Sequence, residues 1–316
     1  MIFKKTAENL FFKSKNLNDD RLGSLVQSVS AQEYLKISSM KENFVIAGYA
    51  DDEGIRNNSG RPGAHLAPSK IREYLYKMTP VQGKPSFDIF DLGDLDPSIL
   101  ALSERHQKVI ELATAAYKNK SRWIGLGGGH DYGYPDVASF LKSAESRPLV
   151  VNFDAHLDVR PTSNGISSGT PFFRILEEFS DLDFIELGIQ SQCNSIAHLE
   201  YCRKHEVQIL NYDELRNSDE DLKNYFCSKF SRLLTEKRPS FLSIDIDSFS
   251  NAYAPGCSQS FATGFEPNEF FKLFSFLNRK LDVRGIGIYE CSPPLDQDNH
   301  TSKLAALIVH KYLFGI

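Results

Sequence analysis

Short apolar runs recur along the chain, and polar helix-like stretches separate them. Runs of this length, bounded by turn-forming residues, are typical of buried β-strands, and they restrict the fold more than any other feature. Eight strands are predicted, at residues 44–48, 87–90, 123–126, 149–153, 184–187, 207–210, 241–246 and 285–289. Six helices are predicted between and after them, at residues 69–76, 103–118, 137–143, 222–234, 268–277 and 301–313.

This alternation of strands and helices predicts an α/β fold, with a parallel sheet and helices on both of its faces. In sheets of this kind, ligands bind beyond the carboxyl ends of the strands. Residues 1–40 are polar and irregular, and they are predicted to be a peripheral N-terminal extension. Residues 41–316 are predicted to form one domain, because no repeat or linker divides them.

Bulk composition excludes several classes of partner. The net charge of −5 comes without a dense basic block, which argues against nucleic acid. No run approaches the roughly 20 apolar residues of a membrane span, and residues 1–8 contain no apolar core of a secretory signal. The five cysteines are odd in number and lack CxxC spacing, so reduced thiols and a cytoplasmic location are predicted.

Residues 152–158 form the most informative motif, because three potential metal ligands directly follow a predicted strand. Asp154, His156 and Asp158 alternate with apolar residues, and in an extended chain such positions point to one face. Two carboxylates and an imidazole crowded on one face are unfavourable unless a positive charge lies between them. The motif therefore predicts a bound divalent cation.

Three other predicted strands also end in polar groups. The third runs into residues 127–129, three glycines that let the backbone turn sharply before His130. The Gly-Lys-Ser/Thr ending of a P-loop and the GxGxxG pattern are both absent there, which argues against a nucleotide. The seventh strand ends with Asp245 and Asp247, predicted to project to one side, and the eighth ends at Glu290. Taken alone, each group also has a structural explanation as a turn residue, a solvated carboxylate or an ion-pair partner.

The combination of these strand ends favours a metal centre. Two histidines and four aspartates are predicted as ligands: His130, Asp154, His156, Asp158, Asp245 and Asp247. This set suits Mn²⁺ before Mg²⁺, with Fe, Co or Zn as alternatives. Four carboxylates exceed what one ion needs, so two ions bridged by shared aspartates are predicted. Two such ions activate water near neutral pH, which predicts a hydrolase.

These motifs stand in the order found in the ureohydrolase family of arginase, agmatinase and formimidoylglutamase. From Phe44 to the C-terminus the chain resembles that family, in residues 127–130, 154–158, 243–247 and Glu290. The resemblance implies a three-layer α/β/α fold with an eight-stranded, mostly parallel sheet. Residues 41–316 would then form a single ureohydrolase-like catalytic domain.

The resemblance also implies a role for each candidate residue. One Mn²⁺ would be held by His130, Asp154, Asp158 and Asp245, and the other by His156, Asp154, Asp245 and Asp247, so that Asp154 and Asp245 bridge. Two residues are predicted to be catalytic. Asp158 would orient the bridging hydroxide and is the nearest candidate proton donor to the leaving amine. Glu290 would face the cationic amidine or guanidine of the substrate.

Other positions favour one branch of the family. Ser168 stands where arginase has a histidine, and residues 168–172, 158–160 and 252–256 are similar to formimidoylglutamases. Residues 262–264 instead resemble arginase and agmatinase. Arg160 and Ser168 are predicted to bind substrate with Glu290. A guanidinium suits a carboxylate, although an ion pair within the protein or a solvated surface position is the alternative for Arg160.

The predicted reaction is the hydrolysis of N-formimidoyl-L-glutamate to L-glutamate and formamide, a step of histidine degradation. One alternative is a urea-releasing enzyme for another guanidino compound, as in agmatinase, guanidinobutyrase or arginase. A second is a ureohydrolase-like binding protein without catalysis. The predicted partner is a small amidine or guanidine, with neither nucleic acid nor membrane, and a homo-oligomer is left open.

Overall fold

A mixed, mostly parallel sheet forms the centre of the computed structural model, which describes residues 2–16, 18–37, 41–81, 83 and 85–315. Within these residues, the sheet has ten strands: β1 (Phe3–Lys4), β2 (Val26–Ser28), β3 (Asn43–Gly48), β4 (Asp88–Leu95), β5 (Ser121–Leu126), β6 (Leu149–Phe153), β7 (Asp183–Ile189), β8 (Gln208–Asn211), β9 (Pro239–Asp245) and β10 (Asp282–Tyr289). The α-helices of the same residues are α1 (Ala31–Tyr34), α2 (Glu53–Asn57), α3 (Ala67–Leu75), α4 (Leu102–Lys118), α5 (Gly133–Ser143), α6 (Pro171–Glu178), α7 (Ile196–Lys204), α8 (Tyr212–Arg216), α9 (Leu222–Phe230), α10 (Pro267–Lys280) and α11 (His300–Phe314).

The strand order is β1-β4-β3-β5-β10-β9-β6-β7-β8, and β2 pairs separately with β4. The β1–β4 pair is antiparallel, and the other pairs of the described sheet are parallel. All eight predicted strands are present, which confirms the α/β class. The strand number differs from eight because β1 and β2 have two and three residues. Segments so short carry no readable period-two alternation.

Helices cover both faces of the sheet because the central strands are apolar on both sides. Neighbouring residues of one strand enter different cores: Val150 packs on the face covered by α4, α5 and α6, and Val151 on the face covered by α3, α9, α10 and α11. Every residue of β6 and β9 is buried. The result is the predicted three-layer α/β/α arrangement.

The six predicted helices are present with shifted ends. The largest shifts are four residues, at α5, which begins at Gly133 rather than at residue 137, and at α9, which stops at Phe230 rather than at residue 234. The prediction missed α1, α2, α6, α7 and α8. Three of these have only four or five residues, too few to show a helical period. No helix of the described residues is long and apolar enough to cross a membrane.

The described residues of the first 37 attach to one edge of the sheet. They supply β1 and β2, and they bury Phe3, Leu22 and Tyr34 in the cores. Residues 38–40, where the predicted extension ends, lie outside the described residues. The predicted division of the chain at residue 40 stays a prediction.

Candidate metal centre

The four polar strand ends meet because β5, β10, β9 and β6 are consecutive neighbours in the sheet. These strands are parallel, so their carboxyl ends lie at the same edge. The loops after them carry all the predicted ligands and Glu290. The fold therefore brings together side chains that are up to 160 residues apart in the sequence.

The local geometry of two motifs differs from the extended chain that their spacing suggested. β6 ends at Phe153, and Asp158 has a φ of 47°, so residues 154–158 do not continue the strand. The bend forms because Asp154 Oδ1 accepts a hydrogen bond from the backbone N–H of His156, at 2.7 Å. Such local side-chain bonds favour turns over strands. The prediction that these ligands share a strand face was wrong, although they do lie close together.

The same correction applies after β9. The strand ends at Asp245, whose Oδ1 accepts a hydrogen bond from the backbone N–H of Asp247 at 2.9 Å. The predicted strand 241–246 thus ends one residue early, and Asp247, predicted to project to the same side as Asp245, lies in the 3₁₀ turn Ile246–Ser248. The turn leaves Asp247 facing His156 across the site.

His130 lies at the centre of the first group of ligands. Its Nδ1 is 3.0 Å from Asp154 Oδ2, 3.0 Å from Asp158 Oδ2 and 3.2 Å from Asp245 Oδ2. Nδ1 is fully buried and has no well-oriented hydrogen-bond partner, whereas Nε2 is 2.9 Å from Ser243 Oγ. One ring nitrogen cannot satisfy three carboxylates by hydrogen bonding, but a cation between them can.

His156 belongs to a second group with Asp247 and Asp154. Its Nδ1 is 3.0 Å from Asp247 Oδ2 and 3.5 Å from Asp154 Oδ1. Within each group the candidate ligand atoms lie within 4.8 Å of one another. Asp154 is common to both groups, as a bridging ligand would be. Asp245 belongs to the His130 group but not to the His156 group. The bridging role of Asp245 stays a prediction.

The electrostatics of the cluster fit bound cations. Burial and the charge of Asp247 raise the pKa of the Asp245 carboxyl well above its ordinary value. Burial alone would lower the pKa of His130, but its three carboxylate neighbours outweigh burial and raise it. The protein thus places several acids where they repel one another. A mixed nitrogen and oxygen set of this kind suits Mn²⁺, so the residues fit the predicted pair of ions.

Glu290 follows β10 and is buried beside the ligands. Its Oε1 accepts a hydrogen bond from the backbone N–H of His130 at 2.9 Å, which fixes the carboxyl group. Burial raises the pKa of Glu290, and a cation bound beside it, metal or amidinium, favours the charged carboxylate. Glu290 has a φ of 63°, and with Asp158 it is one of two predicted catalytic residues in the left-handed region, which is costly for a residue with a Cβ.

A cavity of about 320 Å³ opens over these ligands. We call its base the floor, which comprises the six predicted ligands and Glu290, five of which line the cavity directly: His156, Asp158, Asp245, Asp247 and Glu290. We call the residues around its opening the rim: Asn58, Arg160, Ser168, His198, Ser258 and Gln259. The predicted substrate-binding residues thus all line one cavity. Asn58, His198, Ser258 and Gln259 were not predicted.

Arg160 is exposed at the rim, and its Nη1 donates a hydrogen bond to Asn58 Oδ1 at 2.7 Å. In the described part of the chain, no carboxylate lies within 4.0 Å of the Arg160 guanidinium. Ser168 is almost completely buried, and its backbone N–H donates to Gly54 O at 2.9 Å. The arginine therefore remains available to an anionic ligand.

Other supporting residues were also missed. Asn194 fixes the 154–158 loop from outside, because its Nδ2 donates to Ala155 O at 2.8 Å and its Oδ1 accepts from the Leu157 backbone N–H at 2.9 Å. Tyr289 stacks on the His130 ring with a centroid distance of 4.8 Å. No spacing links Asn194 to the loop it holds, but Tyr289 directly precedes Glu290 and could have been found.

Comparison with known proteins agrees with this site. The profile of the arginase family matches residues 42–315, and the chain therefore belongs to the arginase family. Within it, the chain is 31% identical over 276 residues to the formimidoylglutamase of Streptococcus gordonii, covering 84% of this chain and 82% of that protein.

Two solved structures are similar as well. The formimidoylglutamase of Bacillus subtilis superposes with a TM-score of 0.82 at 26% identity, covering 96% of this chain and 94% of that one. The Trypanosoma cruzi formiminoglutamase with Mn²⁺ superposes with a TM-score of 0.80 at 25% identity, covering 94% of this chain and 98% of that one.

Proposed function

We propose that this chain hydrolyses N-formimidoyl-L-glutamate to L-glutamate and formamide with the help of two Mn²⁺ ions. One observation carries the proposal: a single cavity has a dense cluster of acids at its floor and, at its rim, an arginine that pairs with no carboxylate of the described residues. A substrate with a cationic amidine at one end and carboxylates at the other matches that polarity. A relative named formimidoylglutamase and a solved structure named formiminoglutamase with Mn²⁺ support it.

The floor residues fit the ions in two sets. His130, Asp154, Asp158 and Asp245 would hold one Mn²⁺, and Asp154, His156 and Asp247 would hold the other. Asp245 is proposed as a further ligand of the second ion. Two such ions, when bound, supply an activated water for attack on the amidine carbon and stabilise the charge that develops there.

Glu290 binds and orients the amidine. Its carboxylate accepts hydrogen bonds from the planar N–H groups of the cation, and paired charge-assisted bonds of this type are strong and directional. The bond from the His130 N–H to Oε1 holds Glu290 in place before the substrate arrives. Orientation of this kind lowers the barrier because the reacting carbon is fixed in position.

Asp158 moves the proton. Its carboxylate lines the cavity with 12% of the side chain exposed, so it is within reach of bound substrate. It takes a proton from the attacking water and gives it to the nitrogen of glutamate as that amine leaves. The product amine is thereby neutralised, and the carboxylate is restored for the next cycle.

Arg160 and Ser168 bind the glutamate part of the substrate. The guanidinium forms charge-assisted hydrogen bonds with a carboxylate, and the serine hydroxyl donates another. Agmatine carries no carboxylate and would leave Arg160 unused. The rim therefore favours an amino-acid substrate over an amine.

A cytoplasmic location of the protein is also proposed. All five cysteines are free thiols, and three of them are buried. Unpaired thiols are typical of proteins in a reducing compartment.

Product identity tests the proposed reaction. The Mn²⁺-loaded protein is incubated with N-formimidoyl-L-glutamate, L-arginine, agmatine and 4-guanidinobutyrate, and glutamate, formamide and urea are measured. We expect glutamate and formamide in equal amounts from the first compound and no urea from the others. Urea release without formamide would show a guanidino substrate instead. A protein that binds Mn²⁺ and turns over none of the four compounds would support a binding role.

A further inference from the structure

Asn58 joins the two predicted carboxylate-binding residues of the rim. It directly follows α2, and its backbone N–H donates to Gly54 O and Ile55 O, at 3.2 and 3.1 Å. Its side chain reaches Arg160 Nη1 at 2.7 Å and Ser168 Oγ at 3.1 Å. The Asn58 amide, from a distant segment, thus contacts both Arg160 and Ser168 in the loop that follows Asp158.

The orientation of this amide follows from the chemistry of its neighbours. A guanidinium can only donate, so the atom that faces Arg160 is the Asn58 oxygen. The amide nitrogen then faces Ser168, and because it can only donate, Ser168 Oγ accepts. The Ser168 hydroxyl hydrogen is consequently left free for another acceptor in the cavity. Asn58 therefore presents two donors, from Arg160 and from Ser168, to the same space.

Gly169 adds a second constraint on Arg160. The Arg160 backbone N–H donates to Gly169 O at 2.8 Å, so the two residues are side by side. A Cβ at Gly169 would lie 2.8 Å from Arg160 Cδ and 3.2 Å from Asn58 Nδ2. The arginine side chain crosses Gly169 so closely that a larger residue there would displace it. Its direction is thus fixed from below by Gly169 and at its tip by Asn58.

We propose that Asn58 is a positioning residue that sets substrate preference, because it holds Arg160 and Ser168 as one binding unit for a substrate carboxylate. The inference rests on the proposed function for its choice of substrate. It assigns to Asn58 no contact with the reacting carbon. Removing the amide would free the Arg160 side chain and weaken carboxylate binding, while the chemistry at the floor would be unchanged.

Kinetics with two substrates separate these effects. N-formimidoyl-L-glutamate carries carboxylates, and N-propylformamidine offers the same amidine without them. For Asn58→Ala we expect a KM for the first compound about three- to tenfold higher, the range expected for a lost hydrogen bond. We expect kcat to stay within about twofold, and both parameters for N-propylformamidine to match the wild type.

A binding measurement gives a readout that does not depend on turnover. The Kd of the Mn²⁺-loaded protein for L-glutamate, measured by calorimetry, should rise by the same factor as KM. The double variant of Asn58→Ala with Arg160→Ala should weaken binding by less than the sum of the two single effects, because residues that act as one unit are not additive. Gly169→Ala, which displaces Arg160 without removing it, should also raise this Kd.

Asn57 provides a matched control. It is the preceding residue, and its amide donates to Ile166 O at 2.9 Å instead of to a rim side chain. Asn57→Ala should leave KM and the glutamate Kd unchanged. Asn58→Asp, which keeps the shape of the side chain, covers the case in which Asn58→Ala does not fold. Its carboxylate would pair with Arg160 and should weaken glutamate binding further.

Failure of the proposed reaction and failure of the proposed role of Asn58 give different experimental results. If the wild type releases no formamide from N-formimidoyl-L-glutamate, the reaction is wrong, and the glutamate Kd still decides the role of Asn58. The inference is overturned if the Asn58 variants bind glutamate as the wild type does. It is also overturned if they lose activity equally on both substrates, since that would indicate a general structural role.

Discussion

The floor and the rim of the cavity are built differently. The floor is almost completely buried, follows four adjacent central strands and is fixed by hydrogen bonds such as that from the His130 N–H to Glu290. The rim comes from the end of α2, the first turn of α7 and loops, and Arg160 is exposed. The difference teaches that, under the proposed function, the buried part of this fold would carry the chemistry, whereas exposed loops would select the substrate.

The two regions also differ in charge. The floor contains five carboxylates, namely Asp154, Asp158, Asp245, Asp247 and Glu290, and the rim contains one arginine. A cavity polarised in this way orients a substrate that has a cation at one end and anions at the other. Variants of the floor should therefore affect every amidine, and variants of the rim only those with a carboxylate.

The largest effect is expected for Asp154→Ala. Asp154 is common to both ligand groups, and its loss removes a ligand from each. We expect loss of bound metal and a large fall in kcat/KM. The fall should exceed the roughly 10- to 100-fold loss that follows when a residue hydrogen-bonded to a metal ligand is changed. Metal content by plasma spectrometry and kcat/KM for both test amidines measure the effect. Full metal content together with full activity would contradict a shared ligand.

Glu290→Gln should have the next largest effect. The change keeps the shape but removes the charge that faces the amidine, and a hydrogen bond to a charged group is worth about 1.5–3 kcal/mol. We expect kcat/KM to fall on the order of 10- to 100-fold for both amidines, with metal content unchanged. If the loss were restricted to the substrate with carboxylates, Glu290 would belong functionally to the rim.

Arg160→Ala should affect one substrate only. We expect KM for N-formimidoyl-L-glutamate to rise about tenfold, since a partly exposed charged contact is lost. The kinetic constants of N-propylformamidine should not change. Steady-state assays with both compounds measure this, and an unchanged KM for the carboxylate substrate would return Arg160 to the alternative of a solvated surface residue.

The smallest effect concerns a buried acid that supports the floor. Asp136 accepts hydrogen bonds from Tyr49, from Trp123 Nε1 at 2.8 Å and from Tyr289 Oη at 2.7 Å, and Tyr289 stacks on His130. Burial raises the pKa of Asp136 from 3.8 to about 7. A carboxyl that binds its proton more tightly when folded contributes stability below its unfolded pKa, and this contribution is lost as the pH rises towards the folded pKa.

Asp136→Asn removes this titration. Between pH 5.5 and pH 7, roughly the upper part of the window set by that pKa, the free energy of unfolding of the wild type should fall relative to the variant. The relative slope should be at most about 1.4 kcal/mol per pH unit. Denaturant unfolding at fixed Mn²⁺ concentration measures both proteins. Parallel curves would show that Asp136 keeps its charge state over this range.

The floor could be predicted from the sequence because each of its residues follows an apolar run. His130, Asp154 and Asp245 are within four residues of the end of a strand, and parallel strands bring such ends together. The local turns were not predictable from spacing alone. An aspartate that accepts a hydrogen bond from the backbone two residues later reverses the chain direction, and an alternating pattern does not reveal it.

Most rim residues were not predicted from the sequence, for a different reason. Asn58 and His198 belong to segments without apolar periodicity, and asparagine and histidine are common in ordinary turns. Their role depends on contacts across more than 100 residues, such as that of Asn58 with Arg160. Arg160 stands two residues and Ser168 ten residues after Asp158, and both were found only by counting from that recognisable motif.

The left-handed backbone at Asp158 and Glu290 bears on how this protein can evolve. Glycine would relieve on the order of 1 kcal/mol of conformational cost at either position, so a screen for heat resistance alone would enrich glycine there. Each such gain would remove a carboxylate from the cavity. Higher thermal stability and turnover thus require different residues at these two positions. Only selection for activity can retain both acids.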